Sequence, residues 1–229
     1  MVSKSYHLFN FILLVALPLS ILSSCRLEAK EPEKSVEKRP AFQHQKSKNT
    51  DSLDFVKRTK TKATEALAFC ESNKLNLDFC ILVDMQLHSG KNRFFVYDFK
   101  LDSITYKGLC SHGCCDNAWG QDYSKTNPRF NNIPDSHCSS LGKYKLGKRG
   151  YSNWGIHVNY KMHGLDSTNS KAYERFIVLH SWKDVADSET FPVGTPEGWG
   201  CPAISNKLLK TIDPLLQKSK KDVLFWIYK

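Results

Sequence analysis

Two residues in the C-terminal part of the chain, His180 and Cys201, are of the types that cooperate in nucleophilic catalysis. A cysteine reacts as its thiolate, and it needs a base or a cation nearby to lose its proton near neutral pH. His180 follows an apolar stretch, 176–179, so it is predicted to end a strand, where a side chain can face a cleft. We therefore predict a Cys–His pair, provided that the fold brings the two side chains together.

Glycines flank Cys201 in the segment 198–203, which reads GWGCPA. Because glycine has no side chain, the backbone can turn sharply there and bring N–H groups close to a reacting carbonyl. Other interpretations stay open on these residues alone. Cys201 could be half of a disulfide, and His180 could be a hydrogen-bonded core residue.

The N-terminus predicts export. Lys4 precedes an almost wholly apolar run, 8–22, which is short for a membrane span and typical of a signal-peptide core. The run leads into Leu-Ser-Ser-Cys, which resembles the bacterial lipobox, so residues 1–25 are predicted to be a lipoprotein signal peptide ending at a lipidated Cys25. An ordinary signal peptide with an incidental cysteine is the alternative. Arg26 rather than Asp follows, and by resemblance to Gram-negative lipoproteins this favours an outer-membrane anchor facing the periplasm.

Export changes the interpretation of the eight cysteines, because disulfides form and persist outside the cytoplasm. If Cys25 is lipidated and Cys201 is catalytic, an even number remains. Cys70 and Cys80 could pair with each other, and the other four could form two more bridges, but the sequence does not determine the connectivity. Those four are Cys110, Cys114, Cys115 and Cys138.

The elements that must position the pair begin after a polar stretch. Residues 26–50 are rich in Lys and Glu and predict a flexible tether. Residues 51–73 have helical spacing of apolar side chains and predict one amphipathic helix. The long segment 110–134, rich in Gly, Asn, Asp and Pro, is typical of a functional or cross-linked loop.

The remainder of the chain is mostly strand-like, with one further helix predicted at 205–217. We predict a β-rich α+β fold, with a single domain at 51–229 built on a mixed β-sheet or sandwich with a few helices. The predicted strands are 79–83, 93–99, 103–109, 142–146, 155–162, 176–179 and 222–228.

Composition and net charge limit the classes of partner that the protein can bind. Hydrophobic residues make up 41% of the 229, which is enough for a core, and the formal net charge is +10. A basic surface suits nucleic acid, anionic lipid or a carboxylate-rich cell-wall polymer, or it is simply a solvated surface. No basic run is interleaved with aromatic residues as in a nucleic-acid-binding module, so we predict no nucleic-acid partner. The oligomeric state is not predicted.

The order of these motifs resembles the catalytic domain of the L,D-transpeptidases (YkuD-like). The Trp-Gly-Cys-Pro-Ala sequence at 199–203 is most similar to the branch known as the murein L,D-transpeptidase catalytic domain. The resemblance covers about 82–229. Other segments that match this branch in order are 94–99, 111–113, 136–144, Gly164-Leu165 and Asn169.

This resemblance implies an L,D-transpeptidase-like fold, and a mechanism on peptidoglycan stem peptides without a cofactor. Cys201 attacks the carbonyl of the third, diamino-acid residue of a tetrapeptide stem, D-Ala leaves, and an amine of a second stem resolves the thioester. His180 is the base, and the main-chain carbonyl of Ser181 orients its ring. The N–H groups of Gly200 and Cys201 form the oxyanion hole.

The chain departs from the wider family beside the nucleophile. Gly198 and Trp199 stand where many members have Ser or Thr and a second His, and Ala203 stands where many have a substrate-holding Arg. Recognition of the substrate carboxylate is therefore expected elsewhere, with Lys148, Arg149 and Arg175 as candidates. The residues predicted to contact substrate are His112, His137, Ser139, Trp199 and Arg149.

Three alternatives remain at this stage. The same Cys–His pair could serve an L,D-carboxypeptidase or an amidase, because only the acceptor differs. The altered residues around Cys201 also allow a non-catalytic wall-binding lipoprotein. Zinc is a third possibility, but adjacent cysteines and irregular spacing fit no zinc template, so no metal site is predicted. The zinc candidates would be His112, Cys114, Cys115, His137 and Cys138.

Overall fold

Apolar residues that alternate or run continuously along the chain build one eight-stranded sheet, with helices packed on it. The computed structural model describes residues 44–229, with side chains from residue 55 onward. The predicted signal peptide 1–25 with Cys25, and most of the predicted tether, lie outside the described residues. The elements are α1 (His44–Ser72), β1 (Phe79–Asp84), β2 (Phe94–Asp98), β3 (Ser103–Gly108), β4 (Gly142–Tyr151), β5 (Val158–Gly164), a 3-10 turn (Ser167–Asn169), β6 (Val178–Ser181), β7 (Ala203–Ile204), α2 (Asn206–Lys218) and β8 (Val223–Tyr228).

The strand order is β3-β2-β1-β8-β4-β5-β6-β7. Two neighbouring pairs, β1 with β8 and β6 with β7, are parallel, and the other pairs are antiparallel. The predicted β-rich α+β fold, a single domain on a mixed sheet, is therefore confirmed. The short β7 has no counterpart among the predicted strands, because its two residues carry no periodicity that a sequence reading can detect.

The centre of the sheet is buried on both faces, which explains why β1 is apolar from Phe79 to Val83 rather than alternating. One core lies between the sheet and α2 and includes Ile212 and Phe225. A second core lies under α1 and includes Ala66 and Leu82. A third, smaller cluster includes Trp182 and Ala203. Helix α1 begins at His44, inside the segment predicted as a tether, because 44–50 contains neither Pro nor Gly to end it.

The cysteines form one bridge within the described residues, Cys115–Cys138. Cys70 and Cys80 are both buried in the core under α1 but remain free thiols, so the pairing considered for them does not form. Cys110 and Cys114 are also free and buried. Burial raises the pKa of Cys110 to about 12, which keeps this thiol unreactive.

Within residues 44–229, no helix is both long and apolar enough to cross a membrane.

Candidate active site

His180 and Cys201 line the same open cleft, which has a volume of about 380 Å³. Strand β7 lies beside β6, with Ala203 opposite His180. Cys201 precedes Ala203 by two residues, which is the spacing of side chains on one face of an extended chain. The structure therefore brings the predicted nucleophile and the predicted base to one place.

The hydrogen bond of the His180 ring determines which of its nitrogens carries the hydrogen. Its Nδ1 lies 3.0 Å from the main-chain oxygen of Ser181, and a carbonyl oxygen only accepts, so Nδ1 carries the hydrogen. The lone pair of a neutral ring is then on Nε2, as a general base requires. Burial lowers the pKa of His180 below its ordinary 6.5, against the opposing effect of the Ser181 carbonyl. The resting imidazole is therefore neutral near pH 7.

The thiol of Cys201 is partly buried. Its Sγ accepts the main-chain N–H of Val178 at 3.5 Å and donates to the main-chain oxygen of Phe176 at 3.8 Å. Burial raises the pKa of Cys201, and the Val178 N–H and the Arg175 cation oppose that rise. Cys201 is therefore a thiol at rest, and it must lose its proton to a base as it attacks.

A constrained backbone turn immediately precedes Cys201. Gly200 has φ +95°, and a Cβ there would lie 2.6 Å from the main-chain oxygen of Cys138. The Ser139 hydroxyl accepts from Gly113 N and donates to Gly200 O, both at 3.0 Å. Within the described chain, the N–H groups of Gly200 and Cys201 donate to no acceptor. They are therefore free to bind a developing oxyanion.

Gly200→Ala is expected to lower the free energy of unfolding by about 3 kcal/mol, since alanine adds both a strained φ and a collision with backbone. Gly120→Ala is the matched control, because Gly120 has φ +77° but open space around it. We expect only about 1–2 kcal/mol from that substitution. Urea unfolding of both variants measures the difference, and equal losses would show that the close approach at Gly200 carries no strain.

A chain of hydrogen bonds runs behind the cleft from a buried cation to a buried carboxylate. Arg93 can only donate, so Nδ1 of His112, 2.7 Å from Arg93, is the acceptor and Nε2 carries the hydrogen. Nε2 donates to the Ser124 hydroxyl at 2.9 Å, which donates to Glu197 at 2.8 Å. Burial, followed by the nearby Arg93 charge, lowers the pKa of His112, so the ring is a neutral link.

This network holds the loops that frame the cleft. His112 is buried, and its main-chain oxygen accepts Gly198 N at 2.8 Å, which fixes the segment before the nucleophile. Glu197 also accepts the main-chain N–H of Ser124 at 2.6 Å. His112 thus positions the site from behind and does not line the cleft. Glu197 was not singled out from the sequence, where only its position two residues before Trp199 pointed to it.

Of the other residues predicted to contact substrate, some lie at the cleft and others do not. Trp199 lines the cleft, and exposed His137 stacks on it with ring centroids 5.5 Å apart. Ser139 is fully buried and used by the Gly200 turn. Arg149 binds Asp213 of α2 through two hydrogen bonds and does not line the cleft.

The other two candidate cations also lie outside the cleft lining. Lys148 is exposed on β4. Arg175 donates to the main-chain oxygen of Cys138 at 2.6 Å, behind the Gly200 turn. The cation that does line the cleft is Lys161 of β5, which sequence reasoning missed. Its signal was the alternation of β5, in which Lys161 lies on the face opposite the core residues Tyr160 and Met162.

No group of three or more potential metal-ligating side chains occurs within residues 44–229. Two of the zinc candidates, Cys115 and Cys138, are joined to each other and so cannot serve as thiolate ligands.

The family profile of the L,D-transpeptidase catalytic domain matches residues 50–228, which is most of the chain. No curated protein matches the chain significantly.

Several solved structures are similar in fold at low sequence identity. The helical cell shape determining protein Pgp2 from Campylobacter jejuni is 14% identical, with 66% of this chain and 48% of that chain covered and a TM-score of 0.40. Bd1075 of Bdellovibrio bacteriovorus is 16% identical over 68% and 49% of the two chains, with a TM-score of 0.39. An L,D-transpeptidase from Xylanimonas cellulosilytica is 11% identical over 66% and 60%, with a TM-score of 0.36. The chain spans about half the length of the first two.

Proposed function

The chain belongs to the L,D-transpeptidase catalytic domain family, and from this premise we propose that it is a peptidoglycan-remodelling cysteine L,D-transpeptidase with its acyl-enzyme on Cys201. The observation that carries the proposal is the arrangement at the end of β6. A neutral His180, oriented by the Ser181 carbonyl, shares a cleft with the Cys201 thiol, beside two N–H groups without acceptors. This combination of base, nucleophile and oxyanion donors is what acyl transfer requires.

In the acylation half-reaction, Cys201 Sγ attacks the carbonyl carbon of the third stem residue. Its proton passes to Nε2 of His180 as the carbon–sulfur bond forms, and the oxyanion binds the N–H groups of Gly200 and Cys201. His180 then gives that proton to the nitrogen of the leaving D-Ala as the peptide bond breaks. A thioester on Cys201 and neutral His180 remain.

In the second half-reaction, the side-chain amine of another stem attacks the thioester carbonyl. His180 accepts a proton from this amine and returns it to Sγ as the carbon–sulfur bond breaks, which restores the thiol. If water attacks instead, the product is a tripeptide, and the enzyme is an L,D-carboxypeptidase. The cleft is open, so it admits either an amine or water as the acceptor.

Lys161 is proposed to hold the substrate carboxylate in place of the arginine that the family carries where this chain has Ala203. Lys161 pairs across the strands with Val178, whose N–H binds Cys201 Sγ. Among the described side chains that line the cleft, Lys161 is the one cation, and none is acidic. Its ammonium group lies 5.7 Å from the centre of the Tyr173 ring and is in none of the ion pairs of the described chain. The terminal carboxylate of a tetrapeptide lies one residue beyond the attacked carbonyl, and we propose that it binds this ammonium group.

Lys161→Met is expected to raise KM for the tetrapeptide stem about tenfold or more, because a charge-assisted hydrogen bond to the carboxylate is lost. Lys161→Arg keeps the positive charge, so its KM should rise much less. A stem amidated at its terminal carboxylate should show little difference between the wild type and Lys161→Met. An equally large rise in KM for the amidated stem would assign Lys161 a structural role instead.

The proposed function is tested by incubating the protein with purified disaccharide-tetrapeptide muropeptides and resolving the products by mass. Cross-linked dimers linked through two third-position residues, with D-Ala released, support the transpeptidase. Tripeptides alone support the carboxypeptidase. Unchanged muropeptides, together with no covalent adduct from a carbapenem, would favour a non-catalytic wall-binding protein and overturn the proposal.

We also propose that the protein is exported and anchored by lipid on Cys25 to the outer membrane, where it faces the periplasm and its substrate. The support is the sequence of residues 1–25 followed by Arg26. Labelling with radioactive palmitate in cells should mark the wild type and not Cys25→Ala. A mature wild-type protein without label would contradict lipid anchoring and leave the catalytic proposal untouched.

A further inference from the structure

Four of the five tryptophans of the chain meet at one end of the cleft and form an aromatic platform. Trp119 is at its centre, with ring centroids 5.1 Å from Trp182, 5.8 Å from Trp154 and 6.2 Å from Trp199. Trp182 is buried and forms the base. The other three are exposed by 43%, 44% and 59% for Trp119, Trp154 and Trp199, so broad ring faces meet solvent. Exposed aromatic surface of this extent is typical of a binding site.

The platform is held rigid by the network that contains Glu197. The main-chain N–H of Gly120, next to Trp119, donates to Glu197 O at 2.9 Å, and Glu197 N donates to Gln121 O at 2.7 Å. The Glu197 carboxylate also accepts from Asn117 at 3.3 Å. The Trp119 ring is thus carried by a loop anchored on the segment that leads to Cys201. A preorganised aromatic surface binds at a low cost in conformational entropy.

The platform has a defined place relative to the chemistry. Val178, His180 and Trp182 alternate along one extended segment and all line the cleft. At about 3.3 Å per residue, Trp182 lies roughly 13 Å from Val178. Lys161, paired with Val178, is at the opposite end from the tryptophans, and His180 lies between them. The cleft therefore has a cationic end and an aromatic end, with the Cys–His pair along its length.

We propose that the aromatic platform binds a pyranose ring of the glycan strand to which the stem peptide is attached, an inference that rests on the proposed function. With the terminal carboxylate at Lys161, the stem runs from the attacked third residue back through two residues and a lactyl group to the sugar. At about 3.5 Å per residue this is roughly 10 Å, which reaches the tryptophans. The first two stem residues, Ala and Glu, offer no large apolar surface.

A sugar ring fits the chemistry of this surface. The axial C–H groups of a pyranose make one of its faces apolar, and this face packs on an aromatic ring. Ser152 and Asn153 also line the cleft and can bond hydroxyl and N-acetyl groups at the ring edge. No acidic side chain lines the described cleft, and its one cation, Lys161, is at the opposite end from the tryptophans, so a neutral sugar on the platform leaves no charge there unpaired.

The kinetic test compares a disaccharide-tetrapeptide with the free tetrapeptide. For the wild type we expect KM to be about fivefold to tenfold lower with the disaccharide present. Trp119→Ala should bring the ratio of the two KM values close to one, and Trp119→Phe should restore part of it. Tyr123→Ala, which removes an exposed aromatic side chain of the same loop outside the cleft, should leave the ratio as in the wild type. A wild-type ratio of one would overturn the sugar platform while the transpeptidase stands.

A binding test without turnover separates the two proposals. Titrating Cys201→Ala with an N-acetylglucosamine tetrasaccharide should change the intrinsic tryptophan fluorescence saturably, because four of five tryptophans are at the site and Trp226 lies in the core under α1. Trp119→Ala in the same background should weaken the affinity about fivefold or more. If the wild type turns over no muropeptide, this titration still shows whether the aromatic platform binds sugar. No saturable change with the tetrasaccharide would overturn it.

Discussion

Cys201→Ala is expected to reduce the rate of D-Ala release from tetrapeptide muropeptides by roughly 10⁴-fold or more, to the background of the assay. The reason is that no other described thiol can take its place. Cys70, Cys80, Cys110 and Cys114 are buried. Cys201 alone shares a cleft with His180. The measurement is mass analysis of muropeptide products over time, with far-ultraviolet circular dichroism to show that the variant folds.

Cys70→Ala is the matched control for this experiment. It makes the same substitution at a cysteine in the core under α1, outside the cleft lining, and should lower stability but not kcat. Intact-mass analysis with a carbapenem should add one adduct to the wild type and to Cys70→Ala, and none to Cys201→Ala. D-Ala release that persists in Cys201→Ala would exclude the proposed nucleophile, whatever the adduct pattern.

His180→Gln is expected to lower the rate of acylation about 10³-fold, because it removes the group that takes the thiol proton. The loss should be large because burial raises the pKa of Cys201 and so keeps the thiol protonated at neutral pH. A resting thiolate would depend far less on a base. The rate of carbapenem adduct formation measures the step without an acceptor, and His88→Gln, outside the cleft, is the control.

The pH dependence follows from the same two groups. Burial lowers the pKa of His180, so the ring stays a competent base until the pH falls below its ordinary 6.5. Burial raises the pKa of Cys201 above its ordinary 9.0, so raising the pH toward that value creates more thiolate and does not remove a needed proton. We expect carbapenem acylation to lose activity only below pH 6.5, with no decline before pH 9. A decline between pH 7 and 8.5 would indicate a thiolate–imidazolium pair instead.

The strands and the glycine turn before Cys201 could be predicted because both depend on neighbouring residues. The apolar run of β1 and the alternation of β5 are visible in consecutive residues, and each pattern predicts a strand in any fold with a buried sheet. The Gly-Cys turn is equally local, since only glycine adopts the backbone angles of Gly200 next to a second backbone segment at no cost. The start of α1 and the two-residue β7 were missed because no local signal limits them.

The contacts of the cleft depended on residues far apart in the chain. Arg149 and Lys161 are both cations on adjacent strands, and composition does not separate them. Arg149 is paired with Asp213, which is 64 residues away, whereas Lys161 lies on the cleft face of β5. In a strand, a shift of one residue moves a side chain to the other face, so only the register of the folded sheet decides which cation meets substrate.

By itself, the sequence determined that this chain folds as a β-rich domain, because period-two alternation is a local property, and its resemblance to a family singled out Cys201 and His180 as the candidate reactive pair. Only the tertiary structure decided that His112 supports the site from behind, that the thiol is protonated at rest and that four tryptophans share one surface. These features depend on burial and on hydrogen bonds such as that between Ser124 and Glu197, which are 73 residues apart. Solvent exclusion of that kind exists only once the chain has folded.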